Sequence, residues 1–143
     1  MDAPAPQARF SAAVVLLSRI CLAGIFIHEA FFKLKHFAAA GGYMRAFGID
    51  PAFATPAIVV ELGCGIAIAS GVFARTGAWV LAGFCLMTAV VFHARFGDLN
   101  QFQHFQKNIA IAGGMLVLAV HGPGTWTLDR LIRKSGSSAS LKW

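Results

Sequence analysis

Charge is what this sequence has least of. Only 13% of its 143 residues are Asp, Glu, Lys or Arg, where a soluble domain usually carries about 25%. With a mean hydropathy of +0.68, that shortage excludes an ordinary water-soluble domain and places the chain in the membrane class. Cysteine is equally scarce: Cys21, Cys64 and Cys85 fall in three different apolar segments, with no C-x-x-C pair. An odd count spread this way supplies neither a disulfide framework nor a thioredoxin-like motif, and the three read as small buried hydrophobes. Also missing are a glycine-rich phosphate loop, a G-x-S-x-G elbow and a nucleotide fingerprint, which removes the usual signatures of nucleotide-dependent and acyl-transfer enzymes. The net charge of +6 is not gathered into a basic patch interleaved with aromatics, so no nucleic-acid partner is expected. The basic residues lie largely in short loops and the tail, where they orient membrane helices.

What is present is long apolar runs. Residues 1–9, with Pro4 and Pro6, read as a disordered lead. Arg19 interrupts the first apolar run and no A-x-A-like site follows it, so that run is expected to stay as a helix. Apolar spans at about 10–34, 55–73, 78–94 and 104–121 fall near the roughly 17–25 residues a crossing helix needs. The expected fold is therefore all-α, an up-down bundle of four transmembrane helices in one domain over residues 10–129. Tyr43-Met44-Arg45-Ala46-Phe47 can form a short interfacial helix in the first loop, and Arg75-Thr76-Gly77 reads as a tight turn. Small residues such as Gly63, Gly65, Gly71, Gly113 and Gly114 suit close helix packing in a membrane. His121-Gly122-Pro123-Gly124 ends the last span. The basic tail at 130–143, with Arg130, Arg133, Lys134 and the serines from Ser135 to Ser140, reads as a solvated anchor drawn to anionic lipid. The lysine and arginine balance favours both termini in the cytoplasm.

Each span carries an ionisable group: Arg19, Glu61, His93 and Lys107. Such groups cost roughly 2.5–3.5 kcal/mol each at a helix centre, so they persist where they pair, face an interior or serve a function. With alternating helix direction and about 1.5 Å rise per residue, His28, Glu29, Glu61, His93, Lys107 and Asn108 all fall in the outer half of the bundle. They are the candidate polar pocket. Glu29, Lys33 and His36 share one face of the first span. Arg19 sits deeper, where its long arm can reach Glu61 as a buried ion pair locking the first two spans. The competing reading is purely structural: buried pairs fix register, and His93, His104, Lys33 and Lys107 snorkel to the interface. His36 and His104 read as solvated loop histidines. His28, His93, His104, Glu29 and Glu61 are metal-ligand types, but no spacing resembles a known metal motif, so no metal is assigned. Bis-histidine haem ligation by His28 and His93 has no specific support.

The chain resembles the DoxX family of small bacterial membrane proteins from Arg19 to Asp129. The resemblance rests on Arg19 followed by HEAFFKL, then GYMRAFGID, then ELGCGIAIASGVFARTGAW, and finally HFQKNIAIAGGMLVLAVHGPGTWTLD. It implies four membrane helices and residence in the inner membrane, and it links the chain to quinone-dependent oxidoreductase subunits and membrane redox defence. By the same resemblance Arg19, Glu61, Lys107, Asn108 and His28 match polar positions of the family, while Glu29 stands where a small residue is common.

Three functions follow as expectations. The leading one is a subunit or accessory of a redox or quinone-linked membrane system, not catalytic alone, with the cofactor left open and quinone as the candidate. In it Glu61 and Glu29 relay protons, and His93 or Lys107 hydrogen-bonds a quinone carbonyl. The second is a small solute or metal-ion transport module, best served by a homo-oligomer since four helices leave little room for inverted repeats. The third is a membrane anchor for a peripheral enzyme. A redox-protein partner or a second copy is expected alongside the lipid bilayer.

Overall fold

A computed structural model describes residues 5–132; the tail residues from Arg133 onward lie outside it, as do Met1 to Pro4. The described chain is helical throughout: α1 Pro6–Lys35, α2 Phe37–Ala46, a 3-10 turn Pro51–Phe53, α3 Ala54–Ser70, α4 Ala74–His93 and α5 Leu99–His121. α1 begins at Pro6, four residues earlier than the expected span, so residues 6–9 belong to the helix rather than to a disordered lead. Proline is tolerated there because the first helical N–H groups have no intrahelical partner in any case.

Three helices are long and apolar enough to cross a membrane: Pro6–Lys35, Pro51–Ser70 and Ala74–His93. α5 has 23 residues, but its first turns carry Asn100, Gln101, Gln103, His104, Gln106, Lys107 and Asn108. Among the described residues three of the four expected crossings are thus long and apolar enough to span. The exposed surface suits lipid: Leu17, Phe31, Val59, Ile66, Trp79 and Val90 all point outward.

Close approaches fix the arrangement. α1 and α3 run antiparallel, with Lys33 beside Glu61, Ile27 beside Gly65 and Arg19 beside Ala69. α3 meets α4 where Gly77 lies against the Cys64 carbonyl; a Cβ there would stand 3.2 Å from it. α4 and α5 form the most extensive pairing, with His93 by Gln101 at one end and Arg75 by Val120 at the other. The core lies between these helices: Ala23, Phe26, Ile68, Leu81, Cys85 and Met115, among others, are buried.

The turn between α3 and α4 sits at residues 71–73, not at Arg75-Thr76-Gly77. Those three residues open α4, and Gly77 serves close packing instead of chain reversal. Gly71 ends α3 in the left-handed conformation at φ 82, the usual glycine helix stop. A Cβ on Gly71 would also lie 2.5 Å from the Thr127 side chain. Gly71→Ala is thus expected to cost at least about 1–2 kcal/mol, from the conformation and the clash together, read as a lower unfolding temperature in detergent. α5 is capped by Asp98, whose carboxylate accepts from Asn100 N at 2.8 Å and Gln101 N at 3.3 Å.

Candidate functional site

At the end of the bundle marked by His36, the helices part around a cavity of about 830 Å³, within the usual size of small-molecule sites. Five of the six expected pocket residues line it: Glu29, Glu61, His93, Lys107 and Asn108. His28 does not. Its side chain is 76% exposed and stands 3.9 Å from Glu29, because one residue along a helix is about 100° around it.

The expected Arg19–Glu61 pair does not form. Arg19 is 2% exposed and its guanidinium donates to three backbone carbonyls: Pro123 at 2.6 Å, Trp126 at 2.9 Å and Ala69 at 3.2 Å. Its Nε has no partner among the described residues. All three acceptors lie where regular helix hydrogen bonding has stopped or is ending, at the close of α3 and in the segment after α5, so they have lone pairs to offer. Arg75 does the same for α5, donating to Val120 O at 2.8 Å and His121 O at 3.3 Å, a cation at a helix C-terminus.

Glu61 instead receives Lys33, whose Nζ lies 2.9 Å from both carboxylate oxygens. The same ammonium lies 3.5 Å from Glu29. Glu61 is 4% exposed, so this is a buried charge held by one cation on the neighbouring helix. Glu29 is about half exposed, which makes Glu29, Lys33 and Glu61 a line of charge running from the surface into the pocket wall.

Opposite stands a histidine wall. His93 Nδ1 lies 2.8 Å from Gln101 Oε1; with the amide so placed, Nδ1–H donates and the neutral ring keeps Nε2 as an acceptor. The His104 ring stacks on His93 with centroids 5.1 Å apart, so His104 is a pocket residue and not the solvated loop histidine expected. His36 also lines the pocket, its Nδ1 3.0 Å from the Phe32 carbonyl. Asn108 uses one amide N–H on His104 O at 3.2 Å, leaving its second N–H and its carbonyl oxygen. Lys107 makes no ion pair among the described residues.

The short helix expected at residues 43–47 covers this pocket and begins earlier than expected. Phe37–Ala46 is one helix that takes in Gly41 and Gly42, with Gly41 packed against Pro51. α2 lays Tyr43 and Met44 over the cavity. Tyr43 stacks on Phe92 of α4 at 5.6 Å, and Arg95 sits 4.6 Å over the Phe47 ring. Burial raises the Tyr43 phenol above its ordinary pKa, and the Arg95 charge opposes that. Cys85 and Thr88 complete the floor. Among the described residues no three His, Cys, Asp or Glu side chains gather as a metal site.

The DoxX family profile matches residues 14–94, which takes in α1 to α4 and so the Lys33–Glu61 wall with His93. This chain belongs to the DoxX family. It is 40% identical over 121 residues to the inner membrane protein YqjF of Escherichia coli strain K12, covering 84% of this chain and 92% of that one. Inner membrane protein YphA of the same organism is 34% identical over 125 residues, covering 82% and 89%. No solved structure gives a significant match. Together with its apolar helices, these relatives make it an integral, multi-pass inner-membrane protein of the DoxX family.

Proposed function

We propose that this DoxX-family chain is a subunit or accessory of a redox-linked membrane system, and that its pocket holds a quinone-type ligand. One observation carries this reading. A single cavity joins flat apolar walls, from Phe26, Phe32, Phe84 and Phe92, to polar groups on opposite sides, Lys33 on α1 and His104, Lys107 and Asn108 on α5. A quinone ring needs both, a stacking surface and hydrogen-bond donors at two carbonyl oxygens about a ring's width apart. Such a ligand supplies an exchange of electrons coupled to protons. The protein's share is to orient the head group and to move protons: Glu29 at the surface, Lys33 and Glu61 are close enough to hand a proton inward.

In this reading α5 is the fourth crossing, both termini are cytoplasmic and the pocket faces outward. The supporting argument is the balance of basic residues in the sequence, Arg9, Arg75, Arg130, Arg133, Lys134 and Lys142 on the terminal side against Lys33, Lys35, Arg45, Arg95 and Lys107 on the pocket side.

The test is native mass spectrometry of the gently solubilised protein, followed by titration with short-chain ubiquinone and menaquinone in nanodiscs. A co-purified quinone mass is expected, with an unfolding temperature that rises with quinone concentration. Asn108→Leu or Lys107→Met should weaken binding about tenfold, the loss of one hydrogen bond of roughly 1.4 kcal/mol. Neither an adduct nor a thermal shift with either quinone would reject the reading.

A further inference from the structure

α1 and α5 are neighbours that hardly touch. They run antiparallel, and the α1 face through Leu22, Phe26 and Glu29 looks toward the α5 face through Gly114, Ile111 and Lys107. At one level they meet: a Cβ on Gly114 would stand 3.4 Å from Leu22 Cδ2. Beyond that level, from Phe26 and Ile111 to the His36 end, both faces line the cavity, so the helices diverge. Contact between α1 and α5 is accordingly slight beside the α1–α3 and α4–α5 pairings.

Exposure shows which side of the cavity is open. The lining residues from α3 and α4 are closed in, Glu61 at 4% and Cys85 at 1% exposed. Those on α1 both line the cavity and reach outside, Ile25 at 44% and Phe32 at 52%. Lys107 on α5 is likewise exposed. The mouth therefore runs along the cleft between α1 and α5. Its inner lip, Ile25, lies about 16 Å below His36 at 1.5 Å per residue, within a helix apolar enough to cross the membrane. A mouth at that depth meets acyl chains, not water.

We infer that the ligand of this pocket is a lipid-borne amphiphile that enters sideways through the α1–α5 cleft. Its polar head lies toward Lys33 and His104, and its long apolar chain trails out between Ile25 and Ile111. A water-soluble substrate has no use for an opening lipped by isoleucines at membrane depth. This rests on the pocket being a ligand site, as proposed above, but not on the head group being a quinone.

The test needs no ligand. With Trp79, Trp126 and Trp143 replaced by Phe, a single tryptophan is introduced by Phe84→Trp and the protein is reconstituted in vesicles. Phospholipid brominated on its acyl chains should quench most of the emission, and aqueous iodide little. Adding Ile25→Phe and Ile111→Phe narrows the lips and should restore the emission in brominated lipid. Should Phe84→Trp lose its helical circular dichroism, Phe92→Trp on the same wall serves in its place. Dominant iodide quenching, quenching by neither agent, or lipid quenching unchanged by the lip variants would each overturn the lateral cleft. Lipid quenching that follows this pattern in a protein binding no quinone rejects the quinone alone; quinone binding without lipid quenching rejects the cleft alone.

Discussion

Arg19→Met lowers the unfolding temperature in detergent by roughly 10 °C, an expectation built on about 3 kcal/mol or more at about 3 °C each. The guanidinium is the sole described donor to the Pro123 and Trp126 carbonyls and also serves that of Ala69. Hydrogen bonds to a charged donor contribute about 1.5–3 kcal/mol each, and acceptors left dry cost most of that again. Methionine fills similar volume but donates nothing, so packing loss does not confuse the result. Arg19→Lys should recover only part, since an ammonium cannot span three carbonyls in different directions as a planar fork does. A lysine variant as stable as the parent would show that charge alone, and not the fork, holds the segment after α5. Temperature ramps at several rates separate an equilibrium effect from a faster unfolding rate.

The second large effect is at Lys33. Lys33→Met leaves the Glu61 carboxylate buried without its cation, which is expected to destabilise by about 3–5 kcal/mol. Glu61→Gln in the same chain removes the stranded charge, so the double variant should regain most of the stability. That recovery is the signature of a coupled pair, and a double-mutant cycle measures it. Additive losses, with no recovery, would show that the two side chains act independently despite the 2.9 Å approach. The pair also separates stability from binding: the double variant should fold yet bind quinone more weakly, because Lys33 no longer donates into the pocket.

Much of this was legible from the order of residues. Apolar runs located the long helices, and alternating helix direction alone brought Glu29, Glu61, His93, Lys107 and Asn108 to one end. Depth arithmetic separates Arg19 from Glu61: α1 and α3 are antiparallel with Lys33 level with Glu61, which leaves Arg19 about 21 Å away at 1.5 Å per residue. An Arg–Glu pairing was favoured by charge type, and position overruled it. The true acceptors of Arg19 are backbone carbonyls, which every residue carries and no side-chain letter marks. The only hint was the broken helix at Gly122-Pro123-Gly124, where carbonyls are freed. The first half of α2 was obscured by Gly41 and Gly42, two poor helix formers, of which Gly41 packs against Pro51. The reach of His104 was hidden for a different reason: Asp98 starts α5 five residues before the apolar run begins.

The bonds of Arg19 also set an order of assembly. Its helix is the first of the five to leave the ribosome, but two of its three acceptors, Pro123 and Trp126, are made about a hundred residues later. At roughly 5–20 residues per second, the newly inserted α1 waits several seconds with a guanidinium its own surroundings cannot satisfy. During that wait the charge must be held by headgroups, water or the insertion machinery. The segment after α5 is thus what allows α1 to settle, and the bundle closes from its later helices back to α1.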